Sequence, residues 1–205
     1  MIDLYLAPTA NGQRAAVALA ECGLEFKPHR IDLMKGEQRS PEFLKLNPAA
    51  QIPVMVDQDG AGGKPLTLAQ SGAIILYAAE KSGKFLPKDL GQRARVLQWF
   101  MQGATDVAPT SGAIFQLEMV APEKNEAITN HFKKRLVSFF GVVNAQLAGG
   151  DYLTGELSIA DFMLYPNYFA RKALLDAAGG LENLHAWGQR MGARAGVAKG
   201  MNPFA

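Results

Sequence analysis

The chain has 205 residues, enough for one sizeable core or two small domains. Its 48% hydrophobic and 20% charged content is that of a globular protein, and a net charge of +2 with mixed signs leaves no footprint for nucleic acid or an anionic membrane surface. A single cysteine, Cys22, excludes an internal disulfide and fits a reducing, cytoplasmic setting; no apolar run approaches the roughly 20 residues a membrane helix needs, and Asp3 interrupts any apolar leader.

Ile2 to Leu6 reads as a short strand. After the turn "APTAN" comes an amphipathic helix, Asn11 to Cys22, with Val17, Leu19 and Ala20 apolar and Gly23 past its end. Pro28 to Leu33 is a second strand. "SPEFLKLNP" is a brief helix with Ser40 as N-cap, Pro41 at the first position and Glu42 in the first turn. "IPVMVD" is a third strand, "DGAGG" a turn and "PLTL" a fourth strand, before Ser71 opens a helix that closes at Gly83. The order βαβ, then αββα, needs a parallel first pair and an antiparallel hairpin, a mixed four-stranded sheet of thioredoxin-like type. This α/β domain is expected over residues 1–83, a Pro-containing linker "KFLPKD" over 84–89, and an all-helical domain over 90–205. Helical patterns there run from Gln92 to about Val107, from about Glu123 to Leu147 and from Ser158 to about Ala177, with shorter ones behind.

No metal-ligand spacing surrounds His29, His131 or His185, and no phosphate loop or nucleophile elbow is present. The turn before the first helix holds Thr9 and Asn11 but no Cys, Tyr or Ser. Asn11 reads as a helix cap accepting from a first-turn amide. The same geometry also welcomes an anion, because a helix N-terminus presents free N–H groups and partial positive charge. Neither side chain is a nucleophile or base at neutral pH, so any chemistry needs a cosubstrate such as a thiol, whose pKa near 8.5 falls to about 7 at such a position. In "QIPVMVD" a cis Ile52–Pro53 bond turns the Ile52 backbone outward for a peptide-like ligand to pair with; an ordinary Pro at a strand start is the plainer alternative. Gln70 and Ser71, at the opening of the next helix, offer donors to a carboxylate, or serve only as a cap.

"NPAAQIPVMVD", "LTLAQSGAIILYAAE" and "LTGELSIADF" together resemble the cytosolic glutathione transferases, across essentially the whole chain. "YLAPTANGQRAAVALAECGL" and "IDLMKGEQRSPEFLKLNPAAQIP" look most like the bacterial nu class and the relatives of the yeast nitrogen-regulator protein, which carry Thr and Asn in this turn. The resemblance implies glutathione as cosubstrate, no metal, and a homodimer. It implies that Thr9 and Asn11 hydrogen-bond the glutathione sulfur, that Gln38 and Gln51 lie at the glycine end, that Ile52 pairs with the cysteinyl unit beside a cis Pro53, and that Gln70 and Ser71 hold the γ-glutamyl end. Gln70 stands where nu-class proteins have Glu, Gln51 where relatives often have Lys, and His131 where an Arg is usual, so altered or weaker glutathione binding is expected. Trp99, Met101 and Phe115 either line a second-substrate pocket or pack in the core, and Ser158 with Asp161 forms an N-capping box of folding value. The implied activity is reduction of disulfides or organic peroxides, or conjugation to small electrophiles. A non-catalytic glutathione-binding protein of the same fold is the rival.

Overall fold

In strand β1 (Ile2–Leu6), Ile2, Leu4 and Leu6 are buried while Asp3 and Tyr5 between them face the other side of the sheet, as a period of two demands. The structure is a computed structural model that describes residues 1–205, the side chain of Ala61 excepted. Its contacts divide the chain into two units, Met1–Leu86 with Gly192–Ala205, and Pro87–Met191. The helical domain was expected to run on to residue 205; the contacts instead return the last stretch to the first unit.

In the first unit, helix α1 (Ala10–Cys22) follows β1 and ends at Gly23, whose φ of 74° is the left-handed conformation that glycine adopts freely. β2 (Phe26–Arg30) starts and stops earlier than the sequence indicates. It is the edge strand, where Pro28 can sit opposite Leu4, and Asp32 ends it by accepting from the Met34 and Lys35 amides at 2.9 and 3.2 Å. A 3₁₀ turn (Glu37–Arg39) that the sequence did not announce leads to α2 (Pro41–Leu46), where Ser40 Oγ accepts from Phe43 N at 3.2 Å as a cap should.

β3 (Val54–Asp57) begins after Pro53, which has no N–H to give a ladder, and β4 (Leu66–Ala69) leads into α3 (Ser71–Ser82). The sheet order is β2-β1-β3-β4, with β1/β2 parallel and the other two pairs antiparallel, the mixed thioredoxin-like sheet expected. Leu4, Leu6, Leu19, Met55, Ile74 and Ile75 fill the core. Near the C-terminus a last helix (Ala195–Met201) lies on α1 so closely that a Cβ on Gly200 would come within 2.3 Å of Val17 N. Glu21 fixes it there, receiving Arg194 at 3.1 and 2.7 Å and the Val197 amide at 3.1 Å.

The second unit is helical. α4 (Leu90–Gln102) passes through a π-helical stretch (Gly103–Val107) into α5 (Ala108–Phe115) and a second such stretch (Gln116–Val120). α6 (Glu126–Leu147) starts on its cap Asn125, and α7 (Ile159–Ala170), α8 (Lys172–Ala178) and α9 (Glu182–Gly192) follow. The single helix expected from Ser158 to about Ala177 is divided at Arg171, whose guanidinium is drawn to Ser111 Oγ and O at 3.0 and 2.7 Å. The Ser158–Asp161 capping box forms, and Asp161 also accepts from Leu153 N and from Trp187 Nε1 at 2.9 Å.

Candidate functional site

Register places the sequence's candidate turns at one end of the first unit's sheet. Tyr5, next to the C-terminal end of β1, lies opposite Val54 at the start of β3, and Val54 lies opposite Ala69 at the end of β4. The turn carrying Thr9 and Asn11, the Ile52–Pro53 step and the Gln70–Ser71 corner therefore open side by side. With strands about 4.8 Å apart, β1 to β4 spans roughly 10 Å, which is also the reach of an extended tripeptide. Arg30, at the end of β2, lies opposite Leu6, so the segment that carries Gln38 departs from the same end.

At the first turn the structure corrects one expectation. The cap of α1 is Thr9, in extended conformation, whose Oγ1 accepts from Gly12 N at 3.4 Å, while the backbone ladder begins with Gln13 N on Thr9 O at 2.8 Å. Asn11 is thus a residue of the first helical turn, and it is exposed. Its carboxamide oxygen accepts from the guanidinium of Arg14. An Asn amide with its oxygen so occupied turns its two N–H donors the other way. Thr9 is in the same position, since its oxygen serves the cap and its O–H remains to donate. No acidic residue stands in the first turn of α1 to offset the helix's positive end. Gly12 keeps that turn tight on β1, because a Cβ there would meet Ala7 O at 2.3 Å.

At the second turn the Ile52–Pro53 peptide is cis, as anticipated. Pro53 is buried, Ile52 half-buried and Gln51 exposed. Sequence reasoning passed over Asn47. This buried residue donates from Nδ2 to Gln51 O at 2.7 Å and accepts from Ala49 N at 3.1 Å, so one side chain staples the loop leading to Ile52. The Asn-Pro pair in "NPAAQIP" is the signal that could have found it, because Asn before a turn bonds to the backbone two residues on. Gln38 is half-buried, and its Oε1 is buried without a hydrogen-bond partner.

The third turn also differs from expectation. The cap position of α3 belongs to Gln70, not Ser71, and Gln70 makes no side-chain capping bond. Its φ of 72° and ψ of 117° form a backbone arrangement that a side-chain-bearing residue rarely takes, a mark of sites where geometry serves binding. Ser71 opens the helix half-buried, again with no acidic residue in the first turn.

The other candidates fall outside this end. Cys22 is buried, and burial pushes its thiol pKa up, the behaviour of an apolar filler rather than a nucleophile. His29 pairs with Asp3 at 2.7 Å and stacks on Tyr5. In the second unit Trp99 is buried, Met101 and Phe115 are half exposed, and His131 borders an open depression of about 370 Å³ on α6 with Lys134, Arg135, Ser138 and Phe139. Among the described residues no group of His, Cys, Asp and Glu could hold a metal ion, and no helix is long and apolar enough to cross a membrane.

Comparison with known proteins gives this geometry a context. Residues 2–80 match the model of the glutathione S-transferase N-terminal domain, and residues 110–199 match that of the C-terminal domain. The chain is 39% identical over 168 residues to the disulfide-bond oxidoreductase YfcG of Escherichia coli, covering 81% of this chain and 78% of the relative. A glutathione transferase from Burkholderia graminis, solved with two glutathione molecules bound per subunit, superposes with a TM-score of 0.90 at 30% identity, over 98% of this chain and 87% of the other. One from Pseudomonas putida, solved with one glutathione disulfide per subunit, gives 0.91 at 29% identity over 100% and 92%. With both domain models matched in order and relatives aligned over most of their length, the chain belongs to the glutathione S-transferase family.

Proposed function

We propose that the protein is a glutathione-dependent disulfide reductase that holds the tripeptide along the open end of the first unit's sheet. The observation that carries this is the turn after β1. It presents donors from Thr9, Asn11 and a helix N-terminus, and has no nucleophile or base of its own, so the reactive sulfur comes with glutathione. Ile52 pairs through its backbone with the cysteinyl unit beside Pro53. Gln70 and Ser71 receive the γ-glutamyl end, and Gln38 and Gln51 lie by the glycine end.

The chemistry balances with two glutathiones. One thiolate attacks a sulfur of the disulfide and expels the other as a thiolate, which takes up a proton. A second glutathione then attacks the mixed disulfide, giving glutathione disulfide and a second free thiol. The same thiolate reduces an organic peroxide or adds to a small electrophile. Disulfide reduction is favoured because a 39% identical relative is named for it and a structural neighbour carries glutathione disulfide. Because the reaction draws on a reduced thiol pool, we assign it to the cytoplasm, and we assign a homodimer on the family resemblance. The test is a coupled assay of small-disulfide reduction beside peroxide reduction and aryl-halide conjugation. Disulfide turnover well above the other two is expected. Retention on immobilised glutathione with no turnover in any of the three would instead identify a non-catalytic glutathione-binding protein.

A further inference from the structure

Arg14 is a charged side chain that the expected site does not use. It is 3% exposed, on the α1 face turned inward, and burial pulls its pKa down to about 10, so it remains a cation at neutral pH. Its Nε donates to Ala10 O at 3.3 Å, and one terminal nitrogen donates to Asn11 Oδ1. A guanidinium is a rigid planar fork, so anchoring it on the backbone at one nitrogen fixes where the other points. Asn11 is exposed and has little else to hold it; free in solvent, its carboxamide would turn over and present oxygen as readily as nitrogen.

We propose that Arg14 is a positioning residue that orients the Asn11 carboxamide, so that Asn11 meets the glutathione sulfur with N–H donors and never with its oxygen. This rests on the assignment of the sulfur to this turn. A thiolate opposite a carbonyl oxygen is repelled, whereas opposite an N–H it is stabilised, so the oriented amide favours the ionised thiol and the unoriented one does so only part of the time. A buried cation costs desolvation, and the bonds from Arg14 to Ala10 O and Asn11 Oδ1 offset part of that cost.

The experiment compares Arg14→Met, Arg14→Lys, Asn11→Ala and Arg14→Met with Asn11→Ala. Met fills the volume without donors, and Lys restores the charge and one donating nitrogen without the planar fork. Two readouts are used: the thiol pKa of bound glutathione by ultraviolet titration, and the order of the Asn11 side-chain amide by ¹⁵N relaxation in the free protein. Arg14→Met should raise the thiol pKa by about one unit, a tenfold change in the ionisation constant, while KM for glutathione changes far less. Arg14→Lys should recover most of that shift, and the double variant should be no worse than Asn11→Ala alone. The amide should be ordered in the wild-type protein and mobile in Arg14→Met. Additive shifts in the double variant would overturn the proposal, since Arg14 would then act on the sulfur without Asn11. So would an unchanged thiol pKa in Arg14→Met, or an Asn11 amide already mobile in the wild type, a measurement that stands even if Arg14→Met does not fold. If the wild type binds no glutathione, the proposed function falls, and amide order in the Arg14 variants still decides whether Arg14 positions Asn11.

Discussion

Removing the Asn11 amide should slow the enzyme near neutral pH and speed it at alkaline pH. Asn11 offers N–H donors because its oxygen is engaged by Arg14. A hydrogen bond to a charged group contributes about 1.5–3 kcal/mol, and one pKa unit corresponds to about 1.36 kcal/mol, so Asn11→Ala should raise the bound thiol pKa by about 1–2 units. From a starting value of about 7, the thiolate fraction at pH 7 then falls from about one half to between a tenth and a hundredth. The thiolates that remain are more basic and hence better nucleophiles. With a Brønsted coefficient of about 0.4–0.5 toward disulfides, each unit restores about threefold, leaving a net loss of about two- to fivefold at pH 7. Around pH 9, where wild-type glutathione gains nothing more by ionising, the variant should run about three- to fivefold faster than wild type. The assay is the pH profile of disulfide reduction at saturating glutathione, beside a titration of the bound thiol. A loss by the same factor at every pH, or a thiol pKa that does not move, would refute the assignment of Asn11 as a donor to the thiolate.

Asn11→Asp should raise the bound thiol pKa further than Asn11→Ala, because it sets a carboxylate beside the sulfur; an equal or smaller rise in the same titration would speak against the sulfur lying at this turn. Ser71→Ala, at the other end of the proposed tripeptide, should raise KM for glutathione about tenfold or more and leave the bound thiol pKa unchanged, as kinetics and titration together would report. Gly200→Ala forces a Cβ to within 2.3 Å of Val17 N and should destabilise the protein by about 1–3 kcal/mol, read as an earlier midpoint in urea. Asp57 is pushed up by burial but held below its ordinary 3.8 by donors from Lys81, Tyr77 and the Asp59 amide. A carboxyl with a depressed folded pKa contributes stability above its unfolded value that is lost as pH falls through the folded one, so the melting temperature should drop below about pH 4, and less steeply in Asp57→Asn.

What the sequence made legible was whatever local chemistry decides. Alternation over Ile2–Leu6, the Ser40–Pro41 start of α2, the glycines after α1 and α3, and the Ser158–Asp161 box each act within a few residues, and each formed as read. The errors lie where distant partners decide. Arg194 and Val197 reach Glu21 across more than 170 positions, and nothing near residue 192 announces that the chain returns to the first unit. Strand β2 was displaced because its limits follow from pairing with β1 rather than from its own residues. Thr9 and Asn11 are both good caps, so composition could not choose between them; the extended conformation of Thr9 did.

That choice bears on chemistry. Had Asn11 been the cap, its oxygen would serve a first-turn amide and the helix would begin two residues later, withdrawing its open N–H groups from the end of β1. With Thr9 as cap, the oxygen of each side chain is engaged internally, Thr9 Oγ1 by Gly12 N and Asn11 Oδ1 by Arg14, which leaves the Thr9 O–H and the Asn11 N–H groups to donate. A thiol brings a weak donor and needs an acceptor opposite it, whereas a thiolate needs donors and nothing else. A turn that leads with donors therefore favours the thiolate over the thiol without carrying a nucleophile, a base or a metal, and that is the property Thr and Asn can supply.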